Sequence, residues 1–247
     1  MSNSHIDGLL RPTQHVEKIL VSSILDGTYP TGTVLPNERA LAAQIGVTRP
    51  TLRETLQRLA NEGWIKIHHG KPTVVNDYWQ EGGLGLLSTL AKYGDFLPNG
   101  FITHLLEVRV TMLPRVATRA AENHPDRILK YLDKSSNLDA DPKMFSEYDW
   151  NLQMLMARNS RNPVFSLILN DFASISNTMA LRYFSQKSAR QASRTYYREL
   201  SSAIEGHSDE TVAEIVKKAM EQGIIIWREI KKNSIKPETK KSHKKEP

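Results

Sequence analysis

The chain has no cysteine. That excludes a disulfide framework, a thiolate metal site and a cysteine nucleophile, and it is consistent with a reducing compartment. Residues 1–8 are polar and lack the apolar core of a signal peptide. No stretch approaches the roughly 20 consecutive apolar residues of a membrane helix, so no membrane partner is expected. Catalytic signatures are missing too. Gly70 and Lys71 do not form a P-loop, because Ile65 stands where the first glycine belongs and Pro72 where Ser or Thr belongs. No His has an Asp five residues on, no Gly-x-Ser-x-Gly elbow occurs, and no His pair has zinc-binding spacing. These absences argue against an enzyme. Past residue 85 there is no convincing alternating strand, and no internal repeat anywhere.

The balance of charge is positive, at +6, with 33 Lys+Arg against 27 Asp+Glu. Its location matters more than its size. Residues 1–76 carry 8 basic and 6 acidic side chains, residues 77–230 carry 18 and 19, and residues 231–247 carry 7 and 2. Most of the excess sits in the last segment. Rich in Lys, Ser and Pro, residues 234–247 read as a disordered basic tail.

The segment Leu35–Val75 is the most informative. Asn37 is a good N-cap, and Glu38 suits the positive end of a helix dipole. Leu41 and Ile45 share a face. Gly46 supplies the backbone freedom of a sharp turn. Thr48 caps the next helix, and Pro50 is tolerated in a first turn because that N–H has no helical partner. Leu52, Leu56 and Leu59 form one apolar stripe, while Arg49, Arg53 and Gln57 repeat on another face. Arg58 is four residues from Glu54 and reads as its structural partner. Trp64 to His68 alternates as a half-buried strand, Gly70 turns, and residues 72–75 return. Two short helices, a Gly turn and a basic hairpin make a winged helix-turn-helix, whose second helix enters the DNA major groove.

The rest divides by helical periodicity. Helices are expected at 12–25, 101–123, 125–136, 142–159, 162–179, 187–206 and 209–232. In the second of these Leu105, Val108, Met112, Val116 and Ala120 fall in register, and Pro114 is expected to kink it. The fold class is mainly α: a winged head at 10–76, a glycine-containing linker at 77–85, an all-helical bundle of six or seven helices at 86–233, and the tail.

With these residues in view, the head resembles the GntR superfamily of bacterial transcription factors. The shared pattern is Leu35, Pro36, Glu38 and Arg39, then Gly46, Val47, Thr48, Arg49, Thr51, Leu52, Arg53 and Glu54, then Leu59, Ala60 and Gly63. The wing Ile67–Thr73, with Asn76, Trp79, Asp149–Asn151, Asn162–Asn170, Arg182–Phe184 and Trp227, resembles the fatty-acid-responsive FadR branch. The likeness runs from about Val16 to Asn233. It implies that Arg39, Thr48, Arg49, Thr51 and Arg53 contact a double-stranded DNA operator and that His69, Gly70 and Lys71 form a wing tip in the minor groove. Pro50 departs from the branch, where Thr is usual, and removes an N–H that could hold a phosphate. The resemblance also implies a homodimer on a palindromic operator, because two-fold protein symmetry matches two-fold symmetry in the site.

Many relatives carry a metal site of one Asp and three His in the helical domain. Here Asp149 remains, but Gln153, Tyr197 and Glu221 stand at the His positions, so no metal and no cofactor is expected. The FadR branch instead implies an acyl-CoA effector in an apolar cavity. Arg109, Asp149, Tyr183, Tyr197 and Trp227 match pocket positions, and Lys232 matches a basic group near the exit. Met220 and Gly223 replace a Gly and a Ser of the branch, which narrows the cavity and removes a hydroxyl. Two alternatives stay open: another organic-acid ligand, or a DNA-binding dimer without small-molecule control.

Overall fold

The computed structural model describes residues 11–68, 70–93 and 97–235, with side chains to 233. Eleven α-helices and one two-stranded sheet are found among the described residues. The chain forms two units that divide between Pro98 and Asn99.

The first unit begins with α1 (Pro12–Leu25), which buries Val16, Leu20, Val21 and Ile24. Helix α2 (Glu38–Ile45) and helix α3 (Arg49–Glu62) follow, separated by Gly46 at φ 78°. The apolar stripe of α3 is fully inside, with Leu52 and Leu59 at 0% exposure and Leu56 at 2%. The wing is smaller than its alternation suggests. Strands β1 (Ile65–Lys66) and β2 (Val74–Val75) pair antiparallel, Ile65 facing Val75. Ile67 and His68 lie outside the ladder: in this register His68 falls opposite Pro72, which has no N–H to donate, and β2 also bonds along its other edge. There Leu35 N–H donates to Thr73 at 2.9 Å, and Val75 N–H donates to Thr33 at 2.9 Å.

The segment expected as a linker is structured. Helix α4 (Tyr78–Glu81) carries Tyr78 to within 4.8 Å of the buried Trp64 ring. Gly63 ends α3 at φ 92°, and a Cβ there would meet the Gly82 Cα at 2.8 Å. Two glycines thus let two backbones touch. Helix α5 (Leu86–Lys92), expected in the helical domain, belongs to the first unit, where it buries Leu86, Leu87, Thr89 and Leu90.

The second unit is a helical bundle. Its elements are α6 (Phe101–Asn123), α7 (Pro125–Leu132), a 3-10 turn (Asp133–Asn137), α8 (Pro142–Asn159), α9 (Pro163–Phe184), α10 (Lys187–Glu205) and α11 (Asp209–Ile235). Helix α6 is continuous through Pro114, and the Thr118 hydroxyl donates to the Pro114 carbonyl at 3.0 Å. Its buried face is Leu113, Val116, Ala117, Ala120 and Ala121. Val108 is not on it and is 45% exposed, against the sequence expectation.

Helix α9 also departs from the sequence reading. At 22 residues and mean hydropathy 1.2 it is long and apolar enough to cross a membrane by length and composition. Burial accounts for part of this: one side of α9 buries Leu169, Phe172 and Ile175, and Ile175 and Met179 help to line a cavity, while Val164, Leu167 and Leu181 are exposed. The expected basic tail lies mostly outside the described residues; residues 234 and 235 extend α11.

Candidate nucleic-acid interface and internal cavity

In the first unit, local chemistry sets the recognition helix. The Asn37 side chain accepts the Ala40 N–H at 2.9 Å and starts α2. Thr48 Oγ1 accepts the Thr51 N–H at 3.4 Å, and the two hydroxyls lie 2.9 Å apart. Thr48, Arg49 and Thr51 therefore cluster at the α3 N-terminus, where the helix dipole is positive. Arg39 and Arg49 are exposed and form no ion pair among the described residues. Arg53 is exposed but engaged, donating from Nε at 3.2 Å and from Nη2 at 2.6 Å to Glu38. That guanidinium holds the Glu38 carboxyl below its ordinary range. Arg53 must leave Glu38, or share it, to reach a base or phosphate. On the wing, Gly70 sits at φ 70° and Lys71 is exposed. His69 lies outside the described residues.

Behind this face is a tie that local spacing did not reveal. Arg58 pairs with Glu17 of α1 at 2.5 Å, not with Glu54. Glu17 is 4% exposed and also takes Lys92 of α5 at 2.8 Å. At the other end of α3, Glu62 accepts from the Thr89 hydroxyl at 2.7 Å and from the Trp64 indole at 3.2 Å. Two carboxylates thus fasten α5 to α1 and α3.

The second unit contains a cavity of about 370 Å³ between α6, α8, α9, α10 and α11. Its wall is mostly apolar, with Ile102, Leu105, Phe172, Ile175, Met179 and Trp227 among the lining. Of the residues singled out from the sequence, Arg109, Asp149, Tyr183, Met220, Gly223 and Trp227 line it. Tyr197 and Lys232 do not. Tyr197 is fully buried behind the wall, where its hydroxyl donates to Asp149 Oδ1 at 3.0 Å. Lys232 is exposed near the end of α11.

Asp149 is the polar centre. Gln153 donates to Asp149 Oδ2 at 2.5 Å, and Arg109 Nη2 stands 3.7 Å from the same oxygen. Burial pushes the Asp149 carboxyl above its ordinary range, against the pull of Arg109, Tyr197 and Gln153. Burial also raises the Tyr183 phenol, so it is a neutral donor at the wall. Arg109 Nε is buried with no hydrogen-bond partner, and so is Gln153 Oε1. The positions that carry His in metal-binding relatives thus behave differently: Gln153 and Tyr197 hydrogen-bond Asp149, and Glu221 is exposed. No group of three His, Cys, Asp or Glu side chains among the described residues is arranged to hold a metal.

The sequence reading missed much of the apolar lining. Its signal was present, since Phe172, Ile175, Met179 and Tyr183 recur at helical spacing on α9. Gly223 leaves room: a Cβ there would meet only the Tyr183 hydroxyl, at 3.8 Å. Arg182 lies 5.7 Å over the Trp227 ring, a cation–π contact that fixes the indole.

A winged head with exposed arginines on its second helix, followed by an all-helical unit, defines a class: transcription regulators with a winged DNA-binding domain and a helical second domain. Residues 12–75 match the family of bacterial regulatory proteins, gntR family, and residues 76–237 match the FadR C-terminal domain, so the chain belongs to the gntR family with a FadR-type second domain. A fatty acid metabolism regulator protein of Klebsiella pneumoniae (strain 342) is 37% identical over 90% of this chain and 93% of its own length. One of that description from Shewanella oneidensis is 42% identical over 76% of this chain and 79% of its own. The solved structure of Lar, which controls expression of the Listeria monocytogenes agr system, shares the fold at TM-score 0.55 and 15% identity. That match spans 90% of this chain and 99% of the other. The family is one of transcription regulators, not enzymes.

Proposed function

We propose that this protein is a cytoplasmic regulator of fatty-acid metabolism genes that binds a palindromic operator as a homodimer and is released by long-chain acyl-CoA. Arg39, Thr48, Arg49, Thr51 and Arg53 carry the major-groove contacts, and the wing tip His69, Gly70 and Lys71 enters the minor groove. Arginine at such a helix N-terminus suits bidentate recognition of guanine, and threonine suits phosphate.

The observation that carries the effector reading is the cavity. Its apolar wall suits an alkyl chain, and Arg109, Asp149 and Tyr183 supply the few polar groups that orient a head. The relatives named fatty acid metabolism regulator point the same way. Met220 limits the length of chain admitted. Lys232 is too far along α11 to line the cavity, and its role is at most with the part of a ligand that stays outside.

One observation favours a second reading. The Arg109 Nε is buried in the wall without a partner, and a free carboxylate would satisfy it better than a thioester carbonyl. The ligand would then be an organic acid. Both readings are tested by titrating the full chain with acyl-CoAs of increasing length and with the matching free acids, following tryptophan fluorescence, since Trp150 and Trp227 line the cavity. Saturable quenching by long-chain acyl-CoA supports the first reading. Saturation only by the free acids transfers the function to the second, and no response to either leaves a DNA-binding protein without this control.

A further inference from the structure

A second opening in the helical unit has the opposite chemistry. It is a cleft of about 400 Å³ between the 3-10 turn and α10, lined by Leu132, Asp133, Ser135, Ser136, Arg194, Tyr197, Arg198, Ser201 and Ser202. Arg194, Arg198, Ser201 and Ser202 fall at i, i+4, i+7 and i+8, so they share one face of α10 with neighbours about 5–6 Å apart. The two arginines of this face differ. Arg194 is committed: it donates to the Leu138 carbonyl and lies 5.0 Å over the Phe145 ring. Arg198 is not, and neither its guanidinium nor the Ser201 and Ser202 hydroxyls form a hydrogen bond among the described residues. Across the cleft, Ser136 donates to the Asp133 carbonyl, which fixes the turn that presents Ser135. One carboxylate, Asp133, faces two guanidiniums, so the lining is net positive.

We infer that this cleft is a separate binding site for a small phosphate-bearing anion. A planar guanidinium with unused donors, flanked by hydroxyls on a rigid helix, matches the several acceptor oxygens of a phosphate. The inference is independent of the acyl-CoA reading. Its position gives it a line to the internal cavity. Tyr197 forms part of the cleft wall, and its hydroxyl holds Asp149, which lines that cavity.

The test is a phosphorus NMR titration of inorganic phosphate with the full chain, repeated with Arg198→Ala, Ser201→Ala/Ser202→Ala and, as a surface control, Lys66→Ala. Arg198 is exposed, so its removal leaves the fold intact, which a thermal melt checks. Saturable binding is expected, weakened at least tenfold in Arg198→Ala, less in the double serine variant, and unchanged in Lys66→Ala. A repeat with adenosine monophosphate sorts free phosphate from a phosphate ester: tighter binding of the nucleotide, still lost in Arg198→Ala, assigns an ester. Absence of saturable binding, equal binding to Arg198→Ala and the wild type, or a loss in Lys66→Ala as large as in Arg198→Ala overturns the proposal.

Discussion

Replacing Glu17 with Gln removes one charge from the centre of the DNA-binding unit and keeps its shape. The carboxylate accepts Arg58 Nη2 at 2.5 Å through one oxygen and Lys92 Nζ at 2.8 Å through the other. An amide offers only one acceptor and turns a donor toward a cation. Hydrogen bonds to charged groups contribute about 1.5–3 kcal/mol each. The Arg58 and Lys92 side chains are 41% and 59% exposed, so water replaces much of what they lose, and the sum must be discounted. The expected loss is about 1–3 kcal/mol. It is measured by urea denaturation of the full chain, reading the midpoint at unchanged slope. A control is Lys66→Ala, which removes an ion pair with Glu81 whose two side chains are each 46% exposed and which should cost no more than about 0.5 kcal/mol. The cost at Glu17 should persist at 0.5 M salt, because a buried carboxylate is screened less than a surface one. A Glu17→Gln midpoint indistinguishable from that of Lys66→Ala would refute the claim that this carboxylate fastens α5 to α1 and α3.

Three further outcomes follow from the two units. Arg49→Ala should lose about 1–3 kcal/mol of discrimination at one base position per operator half-site, read by fluorescence anisotropy over a panel of point-substituted sites; normal binding and unchanged discrimination would move the recognition contacts elsewhere. Gly223→Ala should stabilise the protein by about 0.8–1 kcal/mol, because alanine is the better helix former and its Cβ meets only Tyr183 at 3.8 Å; a destabilised variant in denaturant would contradict that packing. Tyr197→Phe removes a buried donor to Asp149 and should cost about 1–3 kcal/mol under conditions where that carboxylate is charged. The Asp149 carboxyl titrates above its ordinary 3.8 in the folded protein, and the Tyr197 bond favours its charged form. The cost should therefore shrink as pH falls through the folded pKa of Asp149, and a cost that stays constant over a pH series from alkaline conditions to the acid limit of folding would exclude the coupling.

Where short-range rules decide the structure, the sequence was legible. Asn37, Gly46, Thr48 and the stripe Leu52, Leu56 and Leu59 each act within a few residues, and together they specify the helix-turn-helix. Long-range chemistry was hidden. The i−4 rule assigned Arg58 to Glu54, but a buried carboxylate 41 residues away won because it is desolvated and also serves Lys92. Helix α5 could not be placed from sequence, since its anchors Glu17 and Glu62 lie 75 and 27 residues from their partners. Val108 obeyed the helical period yet faces outward, because the buried face of α6 is shifted to Leu113 and Ala117. In the cavity, Arg109, Asp149 and Trp227 were legible through resemblance and the α9 stripe through periodicity. Tyr197, also assigned through resemblance, stands behind the wall and reaches the cavity through its bond to Asp149.

The central claim, that a ligand in the helical unit controls DNA binding by the winged head, is tested most directly by release of operator. A fluorescent operator bound to the full chain is titrated with long-chain acyl-CoA, alongside the Trp227→Ala variant. The account predicts that the wild-type complex releases DNA in a saturable way, and that Trp227→Ala binds operator normally but releases it weakly. Retention of DNA by the wild type at saturating acyl-CoA of every chain length, or equal release from both proteins, would contradict it.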